Sequence, residues 1–335
     1  MKFVEVAGVR LSAVGLGTWQ FGSSEWGYGS SYASDVAPRL LNRAIDLGIN
    51  LIDTAEAYAF GHSEEIVGRA VKGRRSDVFV ATKLFPVVPL DPVVGRRARG
   101  SLRRLDIDVI DLYQVHWHNP VVPVRSTMMA MAKLRREGLV RHVGVSNFSL
   151  PQWREAECAL GSPVLSNQVK YSLIDRGPEN ELVAWAQAND RLVIAYSPLS
   201  QGLLSGRYDL DHIPGGMRGA TPAFLPDNLR RFAPVLSVLR AVAAAHDATC
   251  SQVALAWLLR RPNVVVIPGA STIEQAEANA EAAELELSDD EDQALTAASD
   301  AYHPVTGVAA ASQIVGVRAG RTAARIRRAV EGLAK

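Results

Sequence analysis

LIDTAEAYAFGHSEEIVGRAV, residues 51–71, opens as an apolar run with the look of a buried strand, turns acidic at Asp53 and passes Tyr58 before a helical period begins near residue 63. Asp53 and Thr54 suit the end of a strand. Ser63 stands where it would cap the helix, with Glu64 and Glu65 set against the positive end of its dipole. Strand, short loop and helix make one βα unit, and the same unit recurs along the chain. The spacing predicts strands at 12–17 (SAVGLG), 49–54, 78–83 (VFVATK), 109–116 (VIDLYQVH), 141–146, 165–170, 192–197 and 264–269. Helices are expected near 36–47, 63–72, 91–104, 126–137, 151–159, 178–189, 251–261 and 272–282.

Eight strands, each followed by a helix, predict an α/β fold, a (β/α)8 TIM barrel occupying residues 1–300 as a single domain. KFVEVAGVRLS at the start reads as a hairpin turning at Ala7-Gly8, placed to plug the barrel floor. No Pro/Gly/Ser-rich linker divides the chain. Residues 204–228 form a long Gly/Pro-rich connection before a strong helix, FAPVLSVLRAVAAAH, and loops of that length in compact domains are usually functional or disordered. Residues 301–335 read as a helical, basic C-terminal extension, with Arg318, Arg321, Arg325, Arg327, Arg328 and Lys335 against the single acid Glu331; it is a candidate surface for oligomerisation.

Composition narrows the partners. Among 335 residues, 36 basic and 35 acidic side chains leave a formal charge of +1, which argues against a nucleic-acid or membrane-surface partner and for a small neutral one. Cys158 and Cys250 are too few for a disulfide framework, and neither has a metal-ligand neighbour at CxxC spacing. With no apolar leader at the amino terminus and no long uncharged apolar run, a soluble cytoplasmic protein is expected. Arg96, Arg97, Arg99, Arg103 and Arg104 on the third helix read as a solvated face, since no aromatic residues interleave with them.

In such a barrel the chemistry gathers where the strands end. Asp53 ends the second strand, Lys83 the third and His116 the fourth, and Tyr58 follows Asp53 on its loop. A lysine closing the apolar strand VFVATK needs an anion, and Asp53 on the neighbouring strand supplies one. An ammonium group beside a phenol is expected to lower the phenol's pKa from about 10. A phenol so tuned gives a proton to a carbonyl oxygen as hydride reaches the carbon, and takes it back in reverse. His116 would orient the carbonyl or stabilise its developing charge.

These residues sit within GLGTW (15–19), LIDTAEAY (51–58), ATK (81–83), DLYQVHW (111–117), GVSNF (144–148), NQVKYS (167–172), AYSPLSQGLLSG (195–206) and IPGAS (267–271), and in that order the chain resembles the aldo-keto reductase family, above all members related to the potassium-channel β subunits. The resemblance implies an NADPH-dependent oxidoreductase that reduces an aldehyde or ketone, with Asp53, Tyr58, Lys83 and His116 as the catalytic set and Tyr58 as general acid/base. It implies cofactor bound across the barrel mouth without a Rossmann domain, and GLGTWQ indeed lacks the last glycine of GxGxxG. By position, Ser146, Asn147 and Gln168 would hold the nicotinamide carboxamide, Tyr196 would stack on its ring, and Thr18, Trp19 and Asp53 would line the same end. Ser197, Pro198, Leu199, Ser200 and Gln201 would follow the pyrophosphate, Arg207 and Arg218 would reach its phosphates or adenine, and Gly269, Ser271, Gln275 and Asn279 would take the adenosine phosphate. Many members carry a lysine or arginine just beyond the IPG and an acid where Ala278 stands here; NADPH is preferred, with NADH possible. Trp26, Phe85 and Trp117 would wall an apolar substrate pocket, with Tyr28 and Tyr32 on the same loop as Trp26.

Two other readings stay open. One is a regulatory subunit that binds NADP(H) and senses redox state with little turnover. The other is a metal hydrolase built on His116, His118 and Asp53, for which the remaining strand ends offer Ser146, Gln168 and Ser197 in place of further ligands; no metal is therefore expected.

Overall fold

The computed structural model describes residues 1–23, 28–29, 32–216, 218–307 and 309–311, so Trp26 and the basic segment 312–335 lie outside the described residues. By its contacts the chain forms two compact units, one of residues 1–199 and 252–287, the other of residues 200–251 and 288–335.

In the first unit, β1 (Phe3–Val6) and β2 (Val9–Ser12) pair antiparallel as the expected hairpin. The barrel strands follow: β3 (Leu16–Gly17), β4 (Leu51–Asp53), β5 (Phe79–Leu84), β6 (Ile110–Val115), β7 (Val140–Ser146), β8 (Ser166–Lys170), β9 (Leu192–Tyr196) and β10 (Val264–Val266). They lie side by side in chain order, every pair parallel. A parallel bridge from Val14 to Val266 joins the two edges and closes the barrel, reinforced by the bond from Gly15 N to Val266 O at 2.8 Å. A Cβ on Gly17 would lie 2.8 Å from Ile267 O, so this seam tolerates no side chain there.

The predicted strand 12–17 is split in the structure. Ser12 ends the hairpin, Val14 makes an isolated bridge and Leu16–Gly17 forms the ladder strand, while Val4, Val6 and Leu11 turn inward to share a core with Leu51, Leu112, Leu165, Leu192 and Val265. Those are residues near the strand beginnings, so the hairpin covers the barrel floor and leaves the carboxyl ends to the site. Apolar strands such as IDLYQV are buried along their whole length, as a sheet covered on both faces requires.

The covering helices are α1 (Ala37–Asp46), α2 (His62–Val71), α3 (Asp91–Leu105), α4 (Val124–Arg136), α5 (Leu150–Leu160) and α6 (Leu182–Ala188), with α7 (Pro226–Ala245) and α10 (Asp289–Asp300) in the second unit, α8 (Cys250–Leu259) across the division and α9 (Ile273–Glu281) back in the first. The helix expected over 178–189 is shorter: a single turn at Gly177–Glu179 precedes α6. Nor does Ser63 cap α2. Gly61, at φ 91°, takes the cap position, and Ser63 turns inward, where its hydroxyl donates to Thr18 O at 2.9 Å.

The second unit holds the long connection, which folds into short turns at Ser200–Ser205, Arg218–Ala220 and Pro222–Phe224 before α7. Asn228, fully buried on α7, pairs with Val305 through both backbone groups, at 3.0 and 2.6 Å, and Phe232 meets the edge of Tyr302. α10 has no counterpart in the sequence analysis, although its start is legible: Ser288 and Glu291 form a reciprocal capping box. Among the described residues no helix is long and apolar enough to cross a membrane.

Candidate active site

Parallel strands ending at one rim bring together side chains far apart in sequence. Lys83, completely buried, places its Nζ 2.6 Å from Asp53 Oδ1, 2.9 Å from Thr54 O and 3.1 Å from the Tyr58 hydroxyl. Asp53 is anchored on its other oxygen as well: Gln168 Nε2 donates to Oδ2 at 2.7 Å, and Gln114 Nε2 lies 3.5 Å from the same atom. His116 follows β6, with its ring edge-on to Tyr58 at 6.0 Å and to Phe85 at 6.0 Å. Asp53, Tyr58, Lys83 and His116 therefore share one rim.

Burial sets the charge states. It pushes the Tyr58 phenol up, Lys83 works against that rise, Asp53 adds to it, and the balance lies above the ordinary tyrosine value. This corrects the expectation that the lysine would bring the phenol below that value: desolvation outweighs one nearby ammonium that is itself shared with a carboxylate. For Lys83, burial disfavours the charge but Asp53 and Tyr58 both favour it, and its pKa rises, so the ammonium stays charged. His116 is pushed down to about 3 by burial and by the Lys83 charge, which keeps its imidazole neutral.

Beside this set, Ser146 Oγ donates to Gln168 O at 2.9 Å, Asn147 Nδ2 donates to His116 O at 3.2 Å, and the Tyr196 hydroxyl donates to Asn147 Oδ1 at 2.9 Å. These bonds hold Ser146, Asn147, Gln168 and Tyr196 in one polar arc, with Asn147 in the left-handed region at φ 59°. Thr18 is buried, its hydroxyl 3.0 Å from Asp53 O, whereas Trp19 is about half-exposed. Farther along the rim, Ser271 donates from both N and Oγ to Gln275 Oε1 at 2.9 Å, Asn279 is buried, and Gly269 packs against the Gln20 amide. Ser197, at φ 50°, opens the segment Ser197–Leu199. Ser200, Gln201, Arg207 and Arg218 belong to the second unit, where Arg218 donates to the Tyr208 hydroxyl at 3.2 Å.

Of the aromatic residues assigned to a substrate wall, Phe85 and Trp117 flank His116 and are half-exposed. Tyr32 donates its hydroxyl to Ala270 O at 3.0 Å.

Other neighbours of the site were not foreseen. Glu56 accepts from Phe85 N at 2.6 Å and from Arg97 Nε at 3.0 Å, and the fully buried Glu64 takes Arg104 Nε and the Thr82 hydroxyl, each at 2.6 Å. Arg97 and Arg104 are thus not part of a solvated face: each reaches inward to a carboxylate. Helical spacing alone distinguishes them poorly from Arg96, Arg99 and Arg103, because a guanidinium on a long stem reaches either way. Ser63 shares hydrogen bonds with Thr18 and Thr54 at 2.8 and 3.0 Å, a hydroxyl cluster behind the carbonyl that Lys83 uses. Among the described residues no group of three or more His, Cys, Asp or Glu is placed to hold a metal ion.

Over residues 13–300 the chain matches the model of the aldo/keto reductase family. The chain belongs to the aldo/keto reductase family. It is an oxidoreductase. It is 50% identical over 307 residues to an uncharacterised oxidoreductase of Mycobacterium tuberculosis, a match covering 91% of this chain and 95% of the relative. It is 34% identical over 308 residues to the NADH-specific methylglyoxal reductase of Escherichia coli, covering 84% and 92%. In structure it is similar to an aldo/keto reductase from Klebsiella pneumoniae solved with NADP and acetate: TM-score 0.72, 33% identity, 91% of this chain and 97% of the other.

Proposed function

We propose that this aldo/keto reductase uses NADPH to reduce an aldehyde or ketone to the alcohol, with Tyr58 as general acid and, in reverse, general base. The observation that carries the reading is Lys83 Nζ lying 2.6 Å from Asp53 and 3.1 Å from the Tyr58 hydroxyl. Burial keeps the phenol protonated, so it has a proton to give. The charged lysine stabilises the phenolate left behind, and Asp53 holds the lysine in place. Neutral His116, on the same rim, offers a ring N–H to the carbonyl oxygen without competing as an acid.

The donors and acceptors of Ser146, Asn147 and Gln168 beside the phenol ring of Tyr196 suit a flat carboxamide-bearing ring, and support cofactor binding on that arc. Bound there, NADPH supplies the hydride. Ser271, Gln275 and Asn279 are the candidates for its adenosine end, and Phe85 and Trp117 for the walls around a small carbonyl substrate. The K. pneumoniae relative bound to NADP favours NADPH, while the E. coli relative makes NADH the comparison to run.

The test is a fluorescence titration with NADPH and with NADH, followed by turnover of methylglyoxal and 4-nitrobenzaldehyde by the wild type and Tyr58→Phe. We expect the variant to bind cofactor as before and to lose turnover by about 10²-fold or more. Undiminished turnover in Tyr58→Phe refutes the assignment of Tyr58, and cofactor binding with no turnover of any carbonyl by the wild type supports the redox-sensing subunit instead.

A further inference from the structure

Tyr58 begins a turn in which Ala59 (φ 46°), Phe60 (φ 54°) and Gly61 (φ 91°) are all left-handed. For Ala59 and Phe60 this backbone is unfavourable, because Cβ crowds the following carbonyl. The Phe60 side chain is fully exposed, so its packing does not offset the strain. Something else must hold the turn.

Downstream, Ser63 ties the start of α2 to Thr18 and Thr54. Upstream, the candidate is Glu56, two residues before Tyr58. Its side chain is only 9% exposed, and Arg97 Nε lies 2.9 Å from Oε1 while Phe85 N donates to that same oxygen at 2.6 Å. Arg97 Nη1 also donates to Val87 O at 3.4 Å. The carboxylate thus joins the loop after β4, which carries Tyr58, to the loop after β5, which carries Phe85, and to α3. A buried carboxylate with a backbone donor and a guanidinium is more than a surface ion pair, and breaking it leaves groups unpaired in place.

We propose that Glu56 is a positioning residue, a clamp that with Arg97 and the Phe85 amide holds the left-handed turn so that the Tyr58 hydroxyl stays on Lys83 and faces the carbonyl. This deepens the reading of Tyr58 as proton donor and rests on it. A clamp of this kind acts on geometry at the reacting centre, where a displacement on the order of 1 Å costs about 10²-fold in rate. It leaves cofactor binding, carried by other strand ends, largely alone.

Glu56→Ala is therefore expected to lower kcat by about 10²-fold on whichever of methylglyoxal and 4-nitrobenzaldehyde the wild type turns over faster, with KM and the NADPH dissociation constant changed less than about threefold. Glu56→Gln keeps an oxygen for the Phe85 amide and should restore most of kcat; Arg97→Met should fall between. A merely structural role would lower melting temperature in all three without the kcat-against-KM split or the rescue. Native-state hydrogen exchange reads the clamp without turnover: amides of residues 58–62 and of Phe85 should exchange about tenfold faster or more in Glu56→Ala. Wild-type kcat together with unchanged exchange in a folded Glu56→Ala protein overturns the inference. Tyr58→Phe in the same assay separates the two claims, since its full activity sinks the reading of Tyr58, whereas an inactive Tyr58→Phe beside a fully active Glu56→Ala sinks only the clamp.

Discussion

Gln168 donates its amide to Asp53 Oδ2 at 2.7 Å, joining residues 115 positions apart on β8 and β4. That bond occupies the carboxylate oxygen that Lys83 does not use. The resemblance implies that Gln168 holds the nicotinamide carboxamide, and the fold shows a tie from Gln168 to the lysine's anchor. Among the described residues, Gln168→Leu leaves Asp53 Oδ2 with the 3.5 Å approach of Gln114. Urea denaturation should show a loss of about 1–3 kcal/mol, and reduction should slow at saturating cofactor.

The Lys83 charge pulls the Tyr58 pKa down against burial. In Lys83→Met the phenol's pKa rises further, so alcohol oxidation, which needs the phenolate, should require a more alkaline pH than in the wild type. The pH profile of kcat/KM for oxidation checks this; an acidic limb that stays in place or moves to lower pH contradicts it. Asp53 is left buried without its cation, and folding stability should fall by about 3–5 kcal/mol.

His116, pushed down to about 3, should show no imidazole titration near 6.5 in the folded protein, which NMR of the ring protons can follow. The sign for stability follows from the unfolded chain, whose histidine takes up a proton below about 6.5 while the folded one does not. Its contribution is therefore full above that pH and is lost as pH falls from 6.5 toward 3. His116→Asn should flatten the decline of unfolding free energy across that window.

A Cβ on Gly68 of α2 would lie 2.5 Å from Leu105 O, a backbone atom of α3 with no rotamer to change. Gly68→Ala should destabilise the fold by about 1–3 kcal/mol, despite alanine's better helix propensity. A variant as stable as the wild type in urea would show that α2 and α3 can separate without cost.

The barrel was legible because its signals are local. Buried parallel strands are short apolar runs, and each of the eight is followed by a helical period, so β4 to β10 fall where the pattern puts them. Polar residues ending those runs, Asp53, Lys83 and the histidine after Val115, mark the rim for the same reason. Boundaries failed where a tertiary demand overrode the local one. Ser63 has the chemistry of a cap, but a buried hydroxyl cluster with Thr18 and Thr54 claims it, and Gly61 with its positive φ ends the turn instead.

By itself, then, the sequence determined the succession of βα units, the hairpin at the floor and the four side chains at the rim, since strand period and strand-end chemistry act over a few neighbouring residues. Only the tertiary structure decided the partners of charges: Arg97 for Glu56, Arg104 for Glu64, Gln168 for Asp53. It also decided the sign of the Tyr58 shift, because desolvation depends on everything packed around a group and is written in no single stretch of the chain.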